Sequence, residues 1–393
     1  MRNGLHRPGL AISLAADQVP FDENFVFGPK KFDIPILRVY IHELLHFWQS
    51  LSQAFFAYQA LYEWRQLVHF QRSGELELET IPALKQQNDE LYRRDPETGI
   101  TAWSLSEALC RFWDMHILGP EKLLAESEEL ALYRPLLQRP GMFRDTPGGR
   151  QYSSMAFDLL LTVQDYYADP YRLALQQLGS GKAVLFFPLV GHFALQSPKP
   201  AAVYVEAMKR LRAGPQLPQE YLIHAYWKPF LETVEQLCTE ICADLCDGTP
   251  LQTGWTVMEE TELLDNPVWR HYHTLIQLFL AGDKAWSGRA LALPGDPDTR
   301  VHLGRNLLPP LVRFRNGNWV ESTALSAMAH YLKATTGSPP IARTPGQPPV
   351  NLEGFLDPET LSAHSAELLE LERRLGKARV LAELEHRQSQ GRA

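Results

Sequence analysis

The chain has 393 residues, 45% of them hydrophobic and 10% aromatic, the composition of a folded globular protein with a core of its own. Its formal net charge of −8, with no arginine-rich run among aromatics, argues against a nucleic-acid surface. No apolar run reaches the roughly 18–20 residues of a membrane span, and four cysteines in so long a chain make no disulfide framework. The expectation is a reduced, cytoplasmic protein that needs neither nucleic acid nor membrane.

The first thirty residues read as strand and loop, with short apolar runs at Leu10–Leu14 and Phe25–Phe27 punctuated by Pro20 and Gly28. Arg2 and Arg7 before Leu10–Ala16 raise the question of a signal peptide. The apolar core is short and Pro8 stands at its edge, so a strand leading into the fold is expected instead. Asp33 suits an N-cap and Pro35 an early helical position. From there a single helix is expected from about Ile34 to about Gln71, apolar over much of its circumference and ended by Ser73-Gly74.

Inside that helix Val39–Trp48 reads Val-Tyr-Ile-His-Glu-Leu-Leu-His-Phe-Trp. His42 and His46 project from one face, one turn apart, where two neutral ring nitrogens can grip one zinc ion. Glu43 stands beside the first ligand, able to reach a metal-bound water without occupying a ligand position. The competing reading is an amphipathic core helix with two histidines on its polar edge. The stretch resembles the HExxH helix of the zincin metallopeptidases, which supplies two zinc ligands and a general base. Its uncharged flanks, Val39 to Ile41, Leu44, Leu45, Phe47 and Trp48, agree with that family's extended pattern.

Residues 75–100 are charged, carry Pro82, Pro96 and Gly99, and read as a surface excursion with a helical middle. Ser104 to about Leu118 forms the next helix, stopped by Gly119-Pro120. Further helices are expected at 121–138, 152–168, 170–178, 200–212, 228–247 and 268–281. Val184–Val190 fits a buried strand or an apolar helix equally well. Cys238, Cys242 and Cys246 would align as one helical stripe, as a packing face or as metal ligands. Leu311–Val320 reads as a hairpin closed by Asn316-Gly317, and a helix over about Ser322–Thr336 follows, with Gly337 as its cap. A Pro/Gly-rich linker over 337–350 precedes a helix that starts at Asp357-Pro358-Glu359 and carries Leu361, Leu368, Leu371 and Leu375 on one face. That gives a division into 1–336, the linker 337–350, and a C-terminal amphipathic helix within 351–393 that docks on its own body or meets a partner protein.

A catalytic zinc site needs three protein ligands and an open position. The zincins that continue HExxHxxGxxH are excluded, because Gln49 and Ser52 stand where that pattern has glycine and the third histidine. Gluzincins take a glutamate from a later helix, and Ser104-Leu-Ser-Glu-Ala-Leu-Cys-Arg-Phe-Trp-Asp114 resembles such a segment. On that resemblance Glu107 is the third ligand and Asp114, two turns on, a supporting partner of the ligands. Ser104 with Glu107 is equally a capping box. Weaker rivals are Glu75, Glu77 and Glu79 in an exposed strand, and Glu235, Glu240 and Asp244 on the cysteine-bearing helix. For an oxyanion-stabilising residue, Tyr166, Tyr167, His192, His224, Tyr226, His271 and His273 are all available.

The expectation is therefore a mainly α (α+β) chain, with a zincin-like helical core, a small N-terminal β element and a β-hairpin near 311–320. The resemblance implies a zinc metallopeptidase of restricted protein or peptide specificity, in which a zinc-activated water attacks with Glu43 as general base. Zn²⁺ would be its only cofactor. The alternatives are a non-catalytic helical interaction protein with a structural or vestigial zinc site, and a zinc hydrolase of small amides or esters.

Overall fold

Helix α1 (Ile34–Ser52) sets the architecture, because its two flanks do different work. In the computed structural model the described residues are 4–7, 11–14, 34–118, 158, 161–162, 167–213, 227–254, 257, 266–270, 311–313, 319–320, 356 and 358–390. Tyr40, Ile41, Leu44, Leu45 and Phe47 of α1 are buried in the main apolar cluster. The row Arg38, His42, His46 and Gln49 recurs at helical spacing and meets helix α4 (Ala102–Leu118). The protein is mainly α-helical, as the periodicity implied.

The single helix expected over 34–71 is two. Gln53 is extended (φ −112°, ψ 120°) and forms an isolated antiparallel bridge with Thr253, and α2 (Ala54–Ser73) restarts beyond it. The buried side chain of Gln196 stands in for the missing helical bonds. Its Nε2 donates to the Ser52 carbonyl (2.9 Å) and its Oε1 accepts from the Ala54 N–H (2.8 Å). The Phe55 N–H donates to the Leu195 carbonyl at 3.1 Å. Backbone groups freed by the break are thereby paired, so it costs little. Gly74 then ends α2 in the left-handed conformation (φ 74°), donating its N–H to the Phe70 carbonyl.

The connection that follows is not the strand expected to carry Glu75, Glu77 and Glu79. It is a series of bends and turns, tied down from α2 by buried Gln66. Gln66 donates to Thr80 Oγ1 (2.6 Å) and to the Glu77 carbonyl, and accepts from the Glu77 N–H (3.2 Å). Alternating glutamate and leucine imitates a strand, but one buried amide fixes the chain as a turn. Helix α3 (Ile81–Tyr92) supplies the expected helical middle.

Beyond α4 come α5 (Asp169–Leu178), α6 (Ser180–Ala194), α7 (Pro200–Ala213) and α8 (Trp227–Leu245). Val184–Val190 therefore belongs to a helix. Phe112, Tyr171, Phe187 and Tyr204 meet at ring-centroid distances of 5.2–6.2 Å, joining α4 to α5, α6 and α7. At Gly191 a Cβ would lie 2.9 Å from the Leu109 side chain, so the missing side chain lets α6 approach α4 closely. The expected helices over 121–138 and 322–336, the linker over 337–350 and the Asn316-Gly317 turn lie outside the described residues. So does most of 152–168 and of 268–281; of the described residues there, 158, 161–162 and 268–270 are helical, while 167 and 168 are not.

The N-terminal β element and the 311–320 hairpin share one small sheet of order β1-β2-β3-β4. Strand β1 (Gly4–Arg7) pairs antiparallel with β2 (Ala11–Leu14), with Gly4 opposite Leu14. β2 runs parallel to β3 (Leu311–Arg313), and β3 is antiparallel to β4 (Trp319–Val320). Helix α9 (Pro358–Gln390) returns to the body and packs on α2, with Leu368, Leu369 and Leu375 inside the main apolar cluster. Arg374 places its guanidinium 5.8 Å from the Phe70 ring centroid. Among the described residues no helix is long and apolar enough to cross a membrane.

Candidate metal centre

Helices α1 and α4 run antiparallel across the site, Arg38 meeting Asp114 at one end and Gln49 meeting Ser106 at the other. Between these pairs His42, His46 and Glu107 bring one ligand atom each to within 4.8 Å of one another. Among the described residues this is the group of histidine, cysteine and carboxylate side chains placed to share an ion. His42 Nε2 lies 3.1 Å from Glu107 Oε2 and His46 Nε2 lies 3.5 Å from Glu107 Oε1. Each imidazole thus faces a different oxygen of one carboxylate. The two rings stand 4.9 Å apart and nearly perpendicular.

The His42 ring is also held from behind. Its Nδ1 lies 3.4 Å from Asp114 Oδ2, the oxygen that accepts from Arg38 Nε at 3.4 Å. Asp114 is buried, so its charge is compensated by the cation and imidazole beside it rather than by water. On the other histidine, His46 Nδ1 lies 2.9 Å from Gln49 Oε1.

The three side chains keep a path to solvent: His42 is 20%, His46 18% and Glu107 14% exposed. Burial alone would push the His42 pKa down, but hydrogen bonds to Asp114 and Glu107 outweigh it and raise it from 6.5 to about 10. Burial likewise pushes the Glu107 carboxyl up, and the two imidazoles that face it, His42 and His46, prevail, holding it far below the usual carboxylate range. His42 thus holds a proton between two carboxylates. Such a cluster offers a cation two imidazole nitrogens and a carboxylate, with a second carboxylate behind His42.

Glu107 is not the closing residue of a capping box. Helix α4 begins at Ala102, two residues before the expected start, and Thr101 and Ser104 cap each other. The Thr101 N–H donates to Ser104 Oγ and the Ser104 N–H to Thr101 Oγ1, both at 2.9 Å. That exchange places Glu107 a turn further into the helix, aimed at α1, and removes the rival explanation for its presence.

Glu43 is partly exposed, and it adds to the field at Cys110. Burial first, then the charges of Glu107, Glu43 and Asp114, raise the pKa of that thiol well above its usual value. The rival carboxylates lie elsewhere: Glu75 and Glu79 are exposed, Asp244 pairs with Arg210 (3.2 Å) and Glu240 accepts from Gln236 (3.0 Å). Glu77 and Glu235 are half-buried and do not join the metal-binding group. Cys238, Cys242 and Cys246 are free, buried core thiols. Of the candidate oxyanion residues, His192 is buried behind α1, 3.4 Å from Gln53, and Tyr167 meets Trp103 edge-on. Tyr166, His224, Tyr226, His271 and His273 lie outside the described residues. Sequence reasoning missed Arg38, Gln49 and Ser106. The spacing offered a signal for the first two, since Arg38 lies one turn before His42 and Gln49 almost one turn after His46. Comparison with known protein families, with curated proteins and with solved structures finds no match for this chain.

Proposed function

We propose that the protein is a zinc-dependent hydrolase, and specifically a metallopeptidase acting on a restricted protein or peptide substrate. The observation that carries this reading is the convergence of His42, His46 and Glu107 from two helices, with their ligand atoms within 4.8 Å and a path to solvent. The donor set fits zinc: two imidazole nitrogens and one carboxylate are a catalytic combination that leaves a coordination position open. The Asp114 carboxylate behind His42 supports the same fit, because a ligating imidazole is usually oriented by an acceptor on its other nitrogen. A structural zinc site would close the ion with four protein ligands, and among the described residues three converge.

Bound there, zinc would supply Lewis acidity toward a scissile carbonyl and toward water. Glu43, next to a ligand but outside the ligand set, accepts the proton of the attacking water at its carboxylate and returns it to the leaving amine. Asp114 and Arg38 hold His42 in place while this occurs. The C-terminal helix α9 is proposed to serve the body it packs on, with its exposed face left for a partner protein.

Glu43→Gln tests the assignment. The variant should keep its zinc and lose at least about 100-fold in hydrolysis of a mixed peptide library, the scale of a lost general base. A variant that hydrolyses peptides as fast as wild type would remove Glu43 from the mechanism. Hydrolysis of small esters but not of peptides, by wild type, would move the substrate class from peptides to small acyl compounds.

A further inference from the structure

We propose that Gln49 and Ser106 form a positioning pair that fixes the tautomer and ring orientation of His46, so that its Nε2 is the metal-binding nitrogen. This deepens the zinc reading and rests on it. The bonding around Gln49 determines which way its amide points. Its Nε2 donates to the Ser106 carbonyl at 3.3 Å, and a carbonyl can only accept. Turning the amide over would set two carbonyl oxygens against each other.

Gln49 Oε1 therefore faces the other way, where it accepts from the Ser106 hydroxyl at 2.6 Å and from His46 Nδ1 at 2.9 Å. An amide oxygen has no proton to give, so the proton of this contact sits on His46 Nδ1. The neutral ring then carries its lone pair on Nε2, the nitrogen facing Glu107. The other atoms near Nδ1, Ser106 Oγ and Cys110 Sγ, both lie at 3.4 Å. The serine hydroxyl has already given its proton to Gln49. Both members of the pair are buried, Gln49 at 3% and Ser106 at 1% exposed, so bulk water does not replace these bonds.

The arrangement matches the one at His42 in outline but not in charge. There the acceptor on Nδ1 is the carboxylate of Asp114, whereas at His46 it is a neutral amide oriented by a serine one residue before Glu107. Ser106 and Glu107 are consecutive on α4, so one short stretch of that helix supplies a ligand and the group that aims another ligand. Gln49 and Ser106 act through His46 and touch no reacting atom.

The experiment measures zinc affinity of the full chain by chelator competition for wild type, Gln49→Leu and Gln49→Glu, and records the ¹⁵N resonances of zinc-loaded, ¹⁵N-histidine-labelled wild type. Gln49→Leu should weaken zinc binding by about 10–100-fold, the usual effect of losing an acceptor behind a ligating imidazole. Gln49→Glu keeps an acceptor toward His46 but sets its second oxygen against the Ser106 carbonyl, so it should retain more affinity than Gln49→Leu without reaching wild type. A residue that merely ties α1 to α4 would be harmed as much by Glu as by Leu. Equal weakening in both variants, or no weakening in either, overturns the proposal. The wild-type spectrum decides independently of whether a variant folds: His46 should show a protonated Nδ1 and a metal-bound Nε2, and the reverse assignment overturns it. A wild type that binds no zinc at all would instead defeat the metal reading on which the pair depends.

Discussion

His42 stands between two carboxylates, in a group of side chains that could hold a metal ion. Its two ring nitrogens face two different carboxylates, Glu107 at 3.1 Å and Asp114 at 3.4 Å, and the ring answers by keeping a proton up to about pH 10. A cation entering the site must displace that proton. Below about pH 10 proton and metal compete, so zinc affinity should rise with pH by about tenfold per unit between about pH 7 and 9. Chelator competition corrected for the chelator's own protonation checks this, and a flat profile over that range would mean His42 is not the protonated group. The pair of histidines and the glutamate were legible in the sequence because helical spacing puts His42 and His46 on one face and α4 follows as an apolar helix. What surrounds them was not. Arg38, Gln49 and Ser106 are ordinary residue types whose roles depend on how α1 crosses α4, and pattern carries no crossing geometry.

At the scale of elements, the break at Gln53 is the clearest difference between the pattern and the chain. The apolar periodicity of α1 runs on into α2 without interruption, and no proline or glycine marks the joint. The cause lies about 140 residues away in Gln196, whose side chain gives the broken backbone its partners. Gln196→Ala should take its side-chain partner from the buried Ala54 N–H, at about 1–3 kcal/mol. Urea denaturation should show a lower midpoint with the slope unchanged. A midpoint equal to that of wild type would mean that the α1–α2 joint does not depend on this amide. The other local errors have causes closer in sequence. The Thr101–Ser104 exchange displaced the start of α4, and Gln66 turned the expected strand over 75–79 into a turn. Val184–Val190 was undecidable from periodicity alone, since a fully buried helix and a buried strand are both apolar throughout.

For the whole molecule, the central helices were legible and the way they close around the site was not. The last helix begins at Pro358, as the Asp357-Pro358-Glu359 signal indicates, yet only the fold shows its leucines entering the same apolar cluster as α1 and α4. The sheet likewise joins the N-terminal strands to the hairpin near 311–320, a pairing across some three hundred residues that no local signal encodes. These contacts surround one centre, and the claim that this centre holds zinc is what the account stands on. Zinc titration of the metal-stripped full chain, read by chelator competition beside Glu107→Gln, tests it most directly. Glutamine is nearly the same size but lacks the charge of a carboxylate ligand, and the α4 cap belongs to Thr101 and Ser104, so the helix start is untouched. The account predicts about one zinc per wild-type chain, and an affinity lower by orders of magnitude in Glu107→Gln with the fold retained. A wild type that takes up no zinc, or a Glu107→Gln variant that binds it as tightly, would contradict it.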